Sequence, residues 1–128
     1  MSGLLKTRRI CLQSVSEKDY LTIYSWRNKE KYIKLFSSHR TVVSYDPFLT
    51  EFKNDTAKHR HLQFIIGLNK DNTAIGLIYS FNLSLIDGYV FINLYLDEGY
   101  ENKGYGAESF ALLFCYLFDY FPLHKIYL

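Results

Sequence analysis

One stretch constrains the fold more than any other: three β-rich runs in a row, then a long apolar helix and a last strand. Leu62 to Leu68 and Thr73 to Asn82 are joined by Asn69-Lys70-Asp71-Asn72, residues that tolerate unusual φ and suit a hairpin turn. Gly76 inside the second run marks a bulge or a close backbone approach. Asp87-Gly88 makes the next turn, and Tyr89 to Leu96 is the third strand. Asp97 to Gly104 is a loop without apolar rhythm. From Tyr105 to Tyr120 the period changes, and Phe110, Leu113, Phe114 and Leu117 share one helical face. Pro122 stops that helix, and Lys125 to Leu128 opens another strand.

The front of the chain adds a strand and helices. Arg8 to Gln13 alternates, with Ile10 and Leu12 on one side. Ser16 opens a helix: its hydroxyl can accept from the Asp19 N–H, and Glu17 and Asp19 favour the positive helix start. Tyr20, Ile23 and Tyr24 have the spacing of a buried face, and Trp26-Arg27-Asn28 ends the helix. Lys29 to Phe36 forms a second short helix, and Ser37 to Asp46 is polar and irregular. Pro47 to Thr56 reads as another helix, with Asp46 as cap and Pro47 at the first position, where its missing N–H costs nothing. No repeat, low-complexity tract or linker interrupts the 128 residues, which read as one domain, 1–128.

Composition matters for what it excludes. Hydrophobic residues make up 48% and charged residues 22%, so the chain buries a core rather than staying disordered. Twelve Tyr, ten Phe and one Trp make that core rich in rings. A base-stacking platform for nucleic acid would interleave such rings with a basic stripe, and none is present. The net charge of +2 gives no electrostatic argument for nucleic acid or a membrane surface. The longest apolar run, Phe110 to Phe118, is about half of the ~20 residues that a bilayer span needs. No apolar h-region follows Lys6, Arg8 and Arg9, so no signal peptide is expected, and the expected location is cytoplasmic. Cys11 and Cys115 lack a metal-type spacing and read as reduced core thiols.

The segment Leu96 to Ser109, LDEGYENKGYGAES, carries the chemistry. It lies between a strand and a helix, with Gly104 and Gly106 where the helix begins. Glycine lets backbone approach a ligand, and a helix start offers unpaired N–H groups and a positive dipole end. Asn102 to Ala107 can therefore wrap a pyrophosphate, with Lys103 adding charge. A Gly-rich strand-to-helix turn also occurs with no ligand at all.

These residues resemble the acetyl-CoA signature of the GNAT superfamily of N-acetyltransferases, Gln/Arg-x-x-Gly-x-Gly/Ala. It falls on Glu101-Asn102-Lys103-Gly104-Tyr105-Gly106, preceded by Leu96-Asp97 and Tyr100 and followed by Ala107-Glu108-Ser109. Arg8/Arg9-Ile10, the Glu17-Lys18-Asp19 helix start and Trp26-Arg27-Asn28 resemble the opening of the branch containing ribosomal-protein N-terminal acetyltransferases and sugar-amine acetyltransferases. The implied fold is α+β (mixed α/β): a GNAT-like central, mostly antiparallel sheet flanked by helices, C-terminally truncated because the chain ends within the fifth strand. Glu101 departs from the family, which has Gln or Arg there. The family fold also continues with a helix, which commonly carries a tyrosine that protonates the leaving thiolate, and two more strands, and these have no counterpart in the sequence.

The resemblance implies acetyl transfer from acetyl-CoA, with no metal, to a primary amine of a small molecule or a protein N-terminus. The alternative is a CoA-binding, non-catalytic module completed by a partner chain. The cosubstrate seat falls on Glu101, Asn102, Lys103, Gly104, Tyr105, Gly106 and Ala107, with the pantetheine arm along Leu94, Tyr95 and Leu96. The acceptor pocket falls on Trp26 to Arg40, with Trp26, Arg27 and Asn28 as its named residues; Trp26 also fits the core. No catalytic base is singled out. Asn93 cannot act as one; Asp97 and Glu98 can work through water; Tyr79 and Tyr95 can face the cleft. His59 and His61 lack a third metal ligand, and His39-Arg40 and His124-Lys125 read as surface. An uncovered last strand and the second apolar face of the long helix (Leu112, Cys115, Phe118) lead to an expected homo-oligomer through the C-terminal edge.

Overall fold

The meander folds as its turns dictate, and the computed structural model describes residues 5–35, 41–57 and 62–127. Five strands form one sheet in the order β1-β2-β3-β4-β5: β1 Ile10–Ser14, β2 Gln63–Leu68, β3 Ala74–Ser84, β4 Tyr89–Leu96 and β5 Lys125–Tyr127. The first four pair antiparallel; β5 joins β4 in parallel after a crossover through helix α4, Tyr105–Tyr120. The architecture is therefore the α+β arrangement expected, a mostly antiparallel sheet with helices on both faces. The front helices are α1 Tyr20–Arg27, α2 Glu30–Leu35 and α3 Tyr45–Ala57. Leu128, His39, Arg40, His59 and His61 lie outside the described residues.

Strand alternation sorts the side chains into two cores. On one face Ile78, Val90 and Ile92 pack with Leu113 and Leu117 of α4. On the other, Ile65, Leu77 and Tyr95 meet Ile23 and Trp26 of α1 and Phe48 and Phe52 of α3. Rings line both cores; in the second, Tyr20 meets Phe52 edge-on at 5.8 Å and Phe48 stacks on Phe52 at 5.6 Å. Cys11 is buried as expected, but Cys115 is exposed, because it lies on the side of α4 away from Leu113 and Leu117. Among the described residues no helix is long and apolar enough to cross a membrane.

Some boundaries shift for local reasons. The Ser16 helix opens as a short 3₁₀ turn, Glu17–Asp19, in which the Asp19 carboxylate accepts the Ser16 N–H at 2.9 Å. Helix α3 starts at Tyr45 rather than Pro47, with the Phe48 N–H bonded to the Ser44 carbonyl at 3.2 Å. Pro47 still stands in the first turn, where an N–H would have had no intrahelical acceptor.

Gly76 is a close approach. The β2–β3 pairing slips there, Ile66 facing Gly76 and Gly67 facing Ala74, and a Cβ at position 76 would lie 2.2 Å from the Tyr95 carbonyl oxygen. Backbone cannot yield as a side-chain tip can, so Gly76→Ala must push β3 from β4. The expected loss is about 3 kcal/mol or more in urea unfolding. An unchanged midpoint and slope would show that the two strands separate freely at this point.

Candidate active site at the open edge of β4

The site begins with an edge. The Asp97 N–H bonds to the Ile75 carbonyl at 2.8 Å, which fixes the parity: odd-numbered residues of β4 turn their backbone groups to β3, even-numbered ones away from it. β5 accompanies β4 only from Tyr89 to Phe91. Beyond that point the backbone of Leu94 and Leu96 faces a notch with no strand beside it among the described residues. Tyr95 differs from its neighbours: its backbone turns to β3, and its buried ring packs between Trp26, at 5.8 Å, and Tyr32, at 5.3 Å.

Side chains reach into this notch. The Leu94 N–H donates to the Asn93 Oδ1 at 2.9 Å, and the Leu96 carbonyl accepts from the Lys31 ammonium. At the same end, the turn from β4 into α4 needs a left-handed backbone at Asn102 (φ 61°) and at Gly104 (φ 85°), the N-cap of α4. The helix's first N–H groups lack intrahelical acceptors. A Cβ at Gly106 would lie 3.6 Å from both Leu94 and Leu96 side chains, so the absence of a larger group keeps that space open.

Paired charges pin the turn from both sides. Arg9, just before β1, forms an ion pair with Glu108, donates to the Lys103 carbonyl at 2.9 Å and lies 4.4 Å from the centre of the Tyr105 ring. Burial raises the Glu108 carboxyl, but hydrogen bonds from Arg9 and Thr7 outweigh it and hold the group below its ordinary value. Lys31 of α2 pairs with Glu101 at 2.8 Å, and Lys29 with Asp97 at 2.6 Å. Asp97 is similar to Glu108: burial raises it, but hydrogen bonds from Lys29, the Glu98 N–H and Trp26 together hold it low. Burial, then the nearby Asp97, pushes the Tyr95 hydroxyl well above its ordinary range.

The remaining expected residues are placed as follows. Trp26 is buried in the second core. Arg27, also buried, donates to the Thr41 carbonyl at 3.0 Å, and the Asn28 amide both donates to the Val43 carbonyl and accepts the Val43 N–H, each at 2.8 Å. Arg27 and Asn28 therefore fix the 41–43 segment against the end of α1. Tyr79 lies directly across from Asn93 on the same sheet face. His124 donates its backbone N–H to the Gly88 carbonyl at 2.6 Å, away from the notch, and among the described residues no cluster could hold a metal ion. Lys31 was missed in the sequence, and nothing local signals it: its partner Glu101 is on another element and far along the chain.

Comparison with known proteins agrees with this geometry. Residues 9–128 match the family model of the acetyltransferase (GNAT) domain. The chain belongs to the GNAT acetyltransferase family. Spermidine N-acetyltransferase from Vibrio cholerae, solved with CoA and spermine, has a TM-score of 0.83 at 17% identity, over 94% of this chain and 70% of that one. RimL, a ribosomal L7/L12 alpha-N-protein acetyltransferase solved with coenzyme A, has a TM-score of 0.83 at 14% identity, over 96% of this chain and 71% of that one. An acetyltransferase from Agrobacterium tumefaciens str. C58 has a TM-score of 0.70 at 21% identity, over 90% and 66%. At such identities the likeness shows the fold. No curated protein sequence matches.

The Asp97 junction has a pH signature. Its carboxyl is lower in the folded chain than unfolded, so its stabilisation is present above about pH 4 and is lost as pH falls through the folded value. Asp97→Asn should cost about 1 kcal/mol at pH 7, with the gap to wild type closing in acid as pH falls through the folded value in denaturant titrations. A gap that persists unchanged in acid would assign the effect to shape rather than charge.

Proposed function

We propose that this chain is an acetyl-CoA-dependent N-acetyltransferase that acylates a primary amine, of a small molecule or a protein N-terminus. One observation carries the reading: the edge of β4 at Leu94 and Leu96, with no strand beside it among the described residues, leads through the turn 97–104 to the glycine-capped start of α4. A pantetheine arm has amide groups that can add to such an edge as a strand would. Phosphates suit the amides of Asn102 to Ala107 and the positive end of α4, with Lys103 beside them. Glu101 is compatible with this seat because Lys31 offsets its charge. The relatives' names fit the acceptor class: one acts on spermidine, the other on a protein α-amine.

The acetyl-CoA thioester supplies the acetyl group and the leaving thiolate. The Leu94 N–H is the backbone donor for oxygen charge that develops during attack by the amine. Asp97 is a poor base, held low and already hydrogen-bonded. Glu98, exposed at the end of β4, can take the ammonium proton through water. Arg27 and Asn28 shape the acceptor side by holding the 41–43 segment, and Trp26 backs it from the core against Tyr95. A cytoplasmic setting belongs to the same reading, and the free thiols of Cys11 and Cys115 fit a reducing compartment. So does self-association along the outer edge of β5, where Tyr127 is exposed; Tyr127→Lys should shift sedimentation toward the monomer.

A thiol-release assay with acetyl-CoA across polyamines and N-terminal peptides tests the activity. Release with primary amines and none with tertiary amines is expected; no release with any amine overturns the transferase reading. Gly104→Val forces a β-branched residue to φ 85° and should weaken CoA by about tenfold or more in calorimetry, through strain of about 1–3 kcal/mol and lost close approach. Glu101→Gln releases Lys31 toward the phosphates and should tighten CoA by about two- to fivefold.

A further inference from the structure

Asn93 is out of place by composition. It is the one side chain of β4 that is neither aliphatic nor aromatic, in a strand type that disfavours Asn, and it stands across from Tyr79. A hydrogen bond explains its presence: Oδ1 accepts the N–H of the next residue, Leu94, at 2.9 Å. That N–H points away from β3, and among the described residues no strand lies beside it. Asn93 is itself only partly buried, so its carboxamide has room to turn.

We infer that Asn93 is a displaceable cap on the β4 edge, and that the carbonyl of the acyl group takes its place on the Leu94 N–H. The inference rests on the acetyl-CoA reading above and goes beyond it by naming a positioning residue. One N–H donates to one strong acceptor at a time, so Oδ1 and an acyl oxygen compete. Displacement frees the carboxamide on the sheet face it already shares with Tyr79, where Oδ1 can accept from an amine N–H. The cap thus delays a productive amine contact until an acyl group is in place. Free CoA has no carbonyl at the thiol and leaves the cap seated.

The test is calorimetric titration of wild type, Asn93→Ala and Asn93→Ser with CoA and with acetyl-CoA. Loss of the cap should tighten acetyl-CoA by about two- to tenfold, the scale of one hydrogen bond exchanged for water, and leave CoA within about twofold. Wild-type protein supplies a second readout that needs no variant. The Asn93 side-chain NH₂ resonances should move on adding acetyl-CoA and stay in place with CoA. Equal changes for both ligands, weaker acetyl-CoA binding by the variants, or resonances that respond alike to both ligands overturn the inference while the CoA seat stands. Wild-type protein that binds neither ligand overturns the seat and the inference together.

Discussion

The structure turns on how far β5 follows β4. Among the described residues three pairs hold them together, Tyr89 with Lys125, Val90 with Ile126 and Phe91 with Tyr127. On its other side β4 pairs with β3 along its length, so its position is fixed there. The part of β4 past Phe91 is therefore rigid and half-satisfied. Its even-numbered residues turn their peptide groups to a side where no strand lies among the described residues, and a strand edge in that state is a template for pairing. The parity of the meander decides which residues these are.

Two kinds of tie keep that edge in register with its surroundings. Arg9 reaches from the start of β1 to Glu108 and the Lys103 carbonyl, which holds the start of α4 over the sheet. Lys29 and Lys31 reach from the other face to Asp97 and Glu101, so α2 is linked to the same turn. Each pair alone is a partly exposed ion pair of modest worth. Together they tie β1, α2 and the start of α4 to one eight-residue turn, 97–104. A change in α2 is thereby felt at the seat proposed for the phosphates.

Much of this was legible in the sequence because the signals are local. The bounds of β4 and α4 follow from Asp87-Gly88, from the spacing of Phe110, Leu113, Phe114 and Leu117, and from Pro122. Gly76 marked a close approach because only glycine lets two backbones come so near. The Pro47 boundary was less sharp, since the whole first turn of a helix tolerates a missing N–H and not only its first position. The Cys115 environment depended on how α4 rotates against the sheet. Trp26-Arg27-Asn28 carried family signal without saying that its polar atoms hold the 41–43 segment. Lys31 with Glu101, and Asn93 with the Leu94 N–H, were beyond reach: the first is a non-local pairing, and the second needs the parity of β4 and the stopping point of β5.

The most direct measurement is backbone amide exchange, residue by residue, with and without CoA. The account predicts new protection at Leu94 and Leu96 and across Asn102 to Ala107, with odd-numbered β4 amides unchanged because β3 already holds them. Protection confined to other elements, or equal protection of odd and even residues along β4, would contradict the open edge as the binding site.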